Sequence, residues 1–247
     1  MAHRNRTPVV DLNAVRSVCE QCSIQHLCIP QGLEREDLER LDTIIERKRP
    51  LQPGEYAYRS GEPFRTLFAI RSGLVKTYFL EEGGEEHITG FHFPGSLVGL
   101  DAIASGSHAC FARALDTTSL CKIPFPDLDE LAGKLPGLRQ QLFRLMSEEI
   151  HKDEQDRRSQ SQTSADPRLA SFLAELSERL AGLGYSPYDF RLKISNQDLA
   201  SYLGLAPETV SRLFRRFREQ GLVTIKNKQV RIHDLNGLRR LGHLDDD

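Results

Sequence analysis

The sequence of 247 residues predicts an α+β chain in three parts: a β jelly-roll, one long helix, and a C-terminal winged helix-turn-helix. Three observations carry this. Nine of the eighteen glycines fall between Gly54 and Gly106, separating short stretches such as Thr66–Ile70, Val75–Leu80 and His87–Phe93. Many short strands joined by glycine-rich turns indicate a sandwich or barrel, here a jelly-roll. Further on, Leu135, Leu138, Leu142, Leu145, Met146 and Ile150 recur near the ~3.5-residue period of a helix that pairs with a copy of itself. Towards the C-terminus, two short helical patterns around a tight turn precede two alternating strands, the order of a winged helix-turn-helix.

Taken in order, residues 1–17 show no periodicity, and the cysteine-bearing arm closes at residue 30. Glu34 to Lys48 reads as an amphipathic helix with Leu38, Leu41, Ile44 and Ile45 inward. It opens a domain expected over 31–127, with strands between residues 50 and 126. A single helix then runs from about Leu128 to Arg158, and Ser159 to Ser164 has the composition of a linker. Helix and linker fill 128–163, with a pairing surface centred on Phe143, Met146 and Ile150 and with Asp153 just beyond. Part of the apolar stripe also suits packing on the helix's own β-domain.

The last part, 164–247, opens at Asp166-Pro167, aspartate as N-cap and proline at the first helical position. Phe190, Leu192 and Ile194 alternate as a strand, and Ser195 caps a short helix with Leu199, Tyr202 and Leu203 inward. Gly204 suits its C-cap. Pro207 opens a second helix that runs to about Gln220. Val223 and Ile225, then Val230 and Ile232, alternate around Asn227-Lys228, which fits a two-residue hairpin turn.

Cys19, Cys22 and Cys28 lie two and then five residues apart, so one short loop can aim three sulfurs at a common point. Thiolates are soft ligands that suit iron–sulfur clusters, zinc or copper(I). A fourth ligand must come from elsewhere, and Cys110 or Cys121 could supply it, clipping the arm to a distant domain. Cys110, set among Ala109, Phe111 and Ala112, also reads as a small buried apolar residue. The trio, flanked by Glu20, Gln21, Ser23 and Gln25, does not. An odd cysteine count and the polar stretch Met1 to Asn13 argue against disulfides and a secretory leader. No apolar run reaches the ~20 residues of a membrane span, so the expected compartment is the reducing cytoplasm.

Charge is concentrated. The chain carries a formal −2 overall, yet between residues 207 and 231 seven arginines and lysines face only Glu208 and Glu219. A local basic segment on a helix-turn-helix points to double-stranded DNA. On the second helix Val210, Leu213, Phe214 and Phe217 form the inner face, while Glu208, Ser211, Arg212 and Arg215 share the outer one. The N-terminal end of such a helix enters the major groove, where arginine reads guanine and glutamate reads cytosine. Lys226 and Lys228, at the hairpin, are expected on phosphates. Ordinary solvated charge is the bland alternative.

Together, Cys19-x2-Cys22-x5-Cys28, Arg71-Ser72-Gly73, Ile88-Thr89-Gly90-Phe91-His92, Cys121-Lys122-Ile123-Pro124-Phe125 and Glu208-Thr209-Val210-Ser211-Arg212 resemble the FNR regulators. These are the anaerobic, fumarate and nitrate reduction branch of the cAMP receptor protein family. The resemblance runs from about residue 19 to 235. It implies a cyclic-nucleotide-binding-like sensor domain and an oxygen-labile 4Fe–4S cluster on Cys19, Cys22, Cys28 and Cys121. It further implies a homodimer on an inverted repeat of the TTGAT…ATCAA type, with RNA polymerase as a partner. Glu208, Ser211 and Arg212 match the family's base-reading positions, and Asp153 matches an acidic residue that opposes pairing in air.

The chain departs from its relatives in two places. Asp156, Arg157, Arg158 and Ser159 stand where the pairing helix usually continues apolar. The stretches Gly99-Leu100-Asp101 and His108-Ala109-Cys110 replace the ribose-binding and phosphate-binding sequences of cAMP receptors, so cAMP is not an expected ligand. The same cysteines also suit a regulator with structural zinc, or an enzyme exchanging thiols at Cys19 and Cys22. The last reading lacks its usual βαβ context, and the chain is read as a regulator, not an enzyme.

Overall fold

The computed structural model describes residues 19–161 and 164–244. Helix α1 (Arg35–Ile44) is shorter than its periodicity predicts, because Glu46–Arg47 leave it as strand β1. That strand pairs antiparallel with the last strand of the domain, and tertiary pairing overrides the local helical pattern. The next strands are β2 (Tyr56–Tyr58), β3 (Thr66–Ser72), β4 (Val75–Leu80), β5 (Glu86–His92), β6 (Leu97–Val98), β7 (Phe111–Ala114) and β8 (Ser119–Pro124). They form two four-stranded sheets, in the orders β1-β8-β3-β6 and β2-β7-β4-β5, giving the predicted jelly-roll.

Successive side chains of a strand point to opposite faces, and β8 uses both. Leu120 turns between the sheets, among Tyr58, Phe68, Ile70, Val75 and Val98. Cys121 and Ile123 face the other way, where Ile123 packs with Ile29, Leu41, Leu67, Ala69 and Leu128. The outer face of this sheet is therefore covered by the N-terminal arm and helices.

The expected single helix after the sheets is two: α2 (Phe125–Lys134) and α3 (Pro136–Ser161). Pro136 has no N–H to continue the ladder and forces the preceding Leu135 out of the helical region, to φ −118° and ψ 97°. The apolar stripe divides accordingly. Leu135 and Leu138 are buried against the β-domain, with Leu142 and Leu145 partly so, whereas Phe143 and Ile150 are 64% and 61% exposed. Met146 is half-buried. The Asp153 side chain lies outside the described residues. Ser159, Gln160 and Ser161 are helical, not linker; no glycine or proline there interrupts the turn.

Helix α4 (Ala165–Gly182) starts one residue before the predicted cap, so Ser164 takes the cap position and Asp166 lies within the first turn. There its carboxylate accepts from Arg216 at 2.5 Å. After β9 (Asp189–Arg191) come α5 (Asn196–Leu203), α6 (Pro207–Glu219), β10 (Val223–Lys226), β11 (Gln229–Ile232) and α7 (Leu235–Leu241). Ser195 caps α5 by accepting from the Asp198 N–H at 3.0 Å, and Gly204 ends it at φ 63°. Asn227 and Lys228 both take positive φ, 51° and 65°, as a tight hairpin turn of this hand requires. The strand around Phe190 is shorter than its alternation predicts, since only Asp189–Arg191 finds a partner in β11.

This domain is seated on the second sheet. Phe91 of β5 meets Phe172 and Tyr202 edge-on, at centroid distances of 6.2 and 5.1 Å. Beside them Lys76 of β4, 1% exposed, donates to Glu86 at 2.6 Å and to Asp198 of α5. The core of the C-terminal domain closes on Phe217, which is fully buried. Phe217→Ala is expected to destabilise that domain by ~3–5 kcal/mol, read by chemical denaturation; a loss below about 1 kcal/mol would place the core elsewhere. Among the described residues no helix is long and apolar enough to cross a membrane.

Candidate metal centre and nucleic-acid face

The cysteine arm is built from two short 3-10 turns, Cys19–Gln21 and Gln25–Leu27. The carbonyls of Cys19, Cys22 and Cys28 each accept a turn-closing N–H, from Cys22, Gln25 and Gln31 at 3.0–3.2 Å. Two apolar side chains that the cysteine spacing does not reveal hold the arm down: Ile24 and Ile29, 7% and 1% exposed. Leu27 lies so close to Gly95 that a Cβ there would come within 2.7 Å of its carbonyl. Gly95 also has φ +93°, so any side chain would push the arm away.

Seated in this way, Cys19, Cys22 and Cys28 share one cavity with Cys121, lined also by Ile29, Ala69, Arg47 and Arg71. The trio's polar flanks predict exposure, but Cys19 is only 7% exposed, because α1 and β1 fold back over it. Burial pushes the Cys19 and Cys28 thiols up to about 12. Cys121 is raised by burial too, while Arg47 and Arg71 pull it back down. Buried thiols of this kind give up their protons when a metal takes them.

Cys110 stands apart. Its thiol donates to Asp101 at 3.7 Å and lies 3.8 Å from the Tyr58 hydroxyl, on the inner side of the sandwich. All five cysteines are free thiols. Among the described residues, no three His, Cys, Asp or Glu side chains stand close enough together to hold a single ion. A zinc ion asks its sulfurs to meet about 2.3 Å from one centre. An iron–sulfur cluster spreads its four thiolate ligands over several irons, and four cysteines lining one cavity are a donor set that suits such a group. The buried Nε–H of Arg47 at this cavity has no acceptor among the described residues, a donor suited to an anionic group.

The arm also touches α3. Gln141, 8% exposed, donates to the Cys28 carbonyl at 3.5 Å, and Arg144 donates to Gln31. His26 reaches the Gly182 carbonyl at the end of α4, 3.2 Å away. None of these contacts was legible from spacing.

On α6 the inner residues Val210, Leu213, Phe214 and Phe217 are at most 4% exposed, and Glu208, Ser211, Arg212 and Arg215 are all exposed. Arg212 donates to Thr209 at 3.0 Å. Ser211 donates to the Pro207 carbonyl at 3.1 Å and accepts from Asn196 at 3.2 Å. Asn196 thus joins this face, a residue that charge counting misses. Glu208, in the first turn, also favours the positive end of the helix dipole. Lys226 and Lys228 are exposed at the hairpin. Two of the counted cations are answered from outside the segment: Arg216 by Asp166, and Arg231 by Asp189 at 2.8 Å.

Between the second sheet and α3 lies a cavity of about 510 Å3, whose lining includes Asp101, Glu149 and Arg157. Asp101 accepts from the Ala109 N–H at 2.9 Å, which ties the stretch 99–101 to the stretch 108–110 across this cavity.

Comparison with known proteins identifies both domains. Residues 48–134 match the cyclic nucleotide-binding domain family and residues 167–241 the Crp-like helix-turn-helix domain family. The Salmonella typhi fumarate and nitrate reduction regulatory protein is 49% identical over 226 residues, 91% of this chain and 90% of its own length. The Haemophilus influenzae anaerobic regulatory protein is 48% identical over 223 residues, 90% and 87% of the two chains. The structure of FixK2 from Bradyrhizobium japonicum superposes with a TM-score of 0.73 at 27% identity, over 80% of this chain and 97% of that one. At that identity and coverage of the curated relatives, the chain belongs to the family of fumarate and nitrate reduction (FNR) regulatory proteins.

Proposed function

We propose that this chain is an oxygen-responsive transcription factor, in which a 4Fe–4S cluster on Cys19, Cys22, Cys28 and Cys121 controls pairing and DNA binding. The observation that carries the reading is the shared cavity of those four cysteines, with Cys110 apart from it. When bound, the cluster supplies an oxygen-labile link between the arm and β8. The chain's own residues do the rest. Ile24 and Ile29 seat the arm, and Gln141 and Arg144 join it to α3. A displaced arm therefore shifts the helix that carries Phe143, Met146 and Ile150. Paired α3 helices set two α6 helices about one DNA turn apart, ~34 Å, on an inverted repeat of the TTGAT…ATCAA type. RNA polymerase is the partner such a regulator serves, and His108-Ala109-Cys110, with no arginine to take a phosphate, argues against cAMP.

The test is anaerobic purification with iron and sulfide counted, then DNA binding and a visible spectrum before and after air. A coloured protein that bleaches in air and releases its site supports the reading. A colourless protein with one zinc per chain and air-insensitive binding overturns it in favour of the zinc regulator.

On the DNA face, Arg212→Ala is expected to lose ~1–3 kcal/mol on the specific site and relax its base preference. Lys226→Ala and Lys228→Ala should weaken all sequences alike and flatten the salt dependence. Titrations on specific and random duplexes at two salt concentrations separate the two classes. Equal losses on both duplexes for Arg212→Ala would reduce it to a phosphate contact.

A further inference from the structure

The 4Fe–4S site has a neighbour that cysteine spacing cannot show. Arg47 lies in β1, directly opposite Cys121 in the register with β8, and lines the cysteine cavity. One of its terminal nitrogens donates both to the Asp42 carboxylate and to the Cys19 sulfur, the latter at 3.6 Å. The same Asp42 oxygen accepts the Cys19 N–H at 3.1 Å. Asp42 at the end of α1 and Arg47 at the sheet edge therefore hold Cys19 from its backbone and its sulfur together.

A simple stitch between α1 and β1 would need only the carboxylate–guanidinium pair. It does not explain why the Arg47 Nε–H is buried beside the cysteines with no acceptor among the described residues. Four thiolates around a cluster carry net negative charge in a site whose burial opposes charge. A guanidinium is always protonated and presents donors in a fixed fork. Hydrogen bonds to ligand sulfurs tune iron–sulfur sites, and the partners that orient ligands matter nearly as much as the ligands themselves.

We propose that Arg47, held by Asp42, is a positioning residue of the cluster site, donating to the Cys19 sulfur and to the bound cluster and setting how long the site survives in air. This rests on the cluster reading above. A cation beside the site favours its electron-rich state, so neutralising Arg47 makes loss of an electron to dioxygen easier.

The test compares the parent with R47K, R47Q and D42N, all checked for folding by circular dichroism. Iron and sulfide are counted under nitrogen, and decay of visible absorbance is followed after admitting air. R47Q is expected to decay about tenfold faster than the parent, R47K to stay near the parent because it keeps the charge, and D42N to fall between. Parental decay in R47Q overturns the proposal. If R47Q takes up no cluster, R47K and D42N decide: equal decay in both and the parent overturns it. If the parent itself holds neither iron nor sulfide, the cluster reading has failed. The brace is then judged by hydrogen exchange at the Cys19 amide of the metal-free chains, where unchanged protection in R47Q and D42N overturns it too.

Discussion

Cys121→Ser is expected to abolish cluster binding, leaving a chain without stoichiometric iron or sulfide even under nitrogen, whereas Cys110→Ser keeps both. The two cysteines are close in sequence yet one lies between the sheets and the other on the outer side of its sheet. Cys121 faces outward from β8 into the cavity shared with the arm, and Cys110 faces Tyr58 and Asp101 inside the sandwich. A serine hydroxyl is a hard ligand and a poor substitute for a thiolate on iron. At position 110 the same substitution preserves a small donor toward Asp101. Cys121 is also the only cysteine of the four outside the arm, so its loss unfastens the arm from the sheet, and binding energy that serves as folding energy goes with it. Iron and sulfide assays settle the matter: a full cluster in Cys121→Ser, or none in Cys110→Ser, would end the assignment.

Ile150→Ala is expected to weaken dimerisation severely in the loaded protein while leaving the stability of the single chain unchanged. At 61% exposure Ile150 contributes little to its own core, and Phe143, at 64%, lies about two turns before it on the same side. Exposed apolar side chains of this size on a long helix mark a surface that something covers. In a two-fold dimer one substitution removes two side chains. Truncating a hot-spot residue at the centre of an interface costs about 2 kcal/mol or more, and with Ile150 as one the dissociation constant should rise at least about thirtyfold. Leu138→Ala is the control. Fully buried against the β-domain, it should cost ~2–5 kcal/mol of folding stability. Anaerobic sedimentation and denaturation of both variants separate the two faces of α3. If Ile150→Ala dimerises like the parent, the pairing surface lies elsewhere. Asp153→Ala, just beyond the patch, should instead let some dimer persist in air.

What could be read directly was whatever local spacing encodes. The inner face Val210, Leu213, Phe214 and Phe217, the capping Ser195, the C-cap Gly204 and the turn Asn227-Lys228 all depend on hydrogen bonds and periods within a few residues, and all match the structure. The jelly-roll followed from glycine spacing for the same reason. The expectation of one helix from Leu128 to Arg158 passes over Pro136, whose missing N–H is the local signal that splits it.

Other features depend on residues far apart in the chain. No pattern around Cys19 announces its burial, which comes from α1 and β1 closing over it. Arg47 and Asp42 look like two more charges on an amphipathic helix until β1 peels away to pair with β8. Asp166 reads as a cap until Arg216, fifty residues on, takes its carboxylate. Lys76 reads as an ordinary strand lysine until Asp198 of the second domain meets it. Most of the helices and strands and the polar outer face of α6 follow from the order of residues alone, because they are written in periods and near-neighbour chemistry. Which thiols share a cavity, which charges are answered and which half of the apolar stripe stays open follow from the packing of distant segments, because burial and electrostatics act through space between stretches whose meeting no local period records.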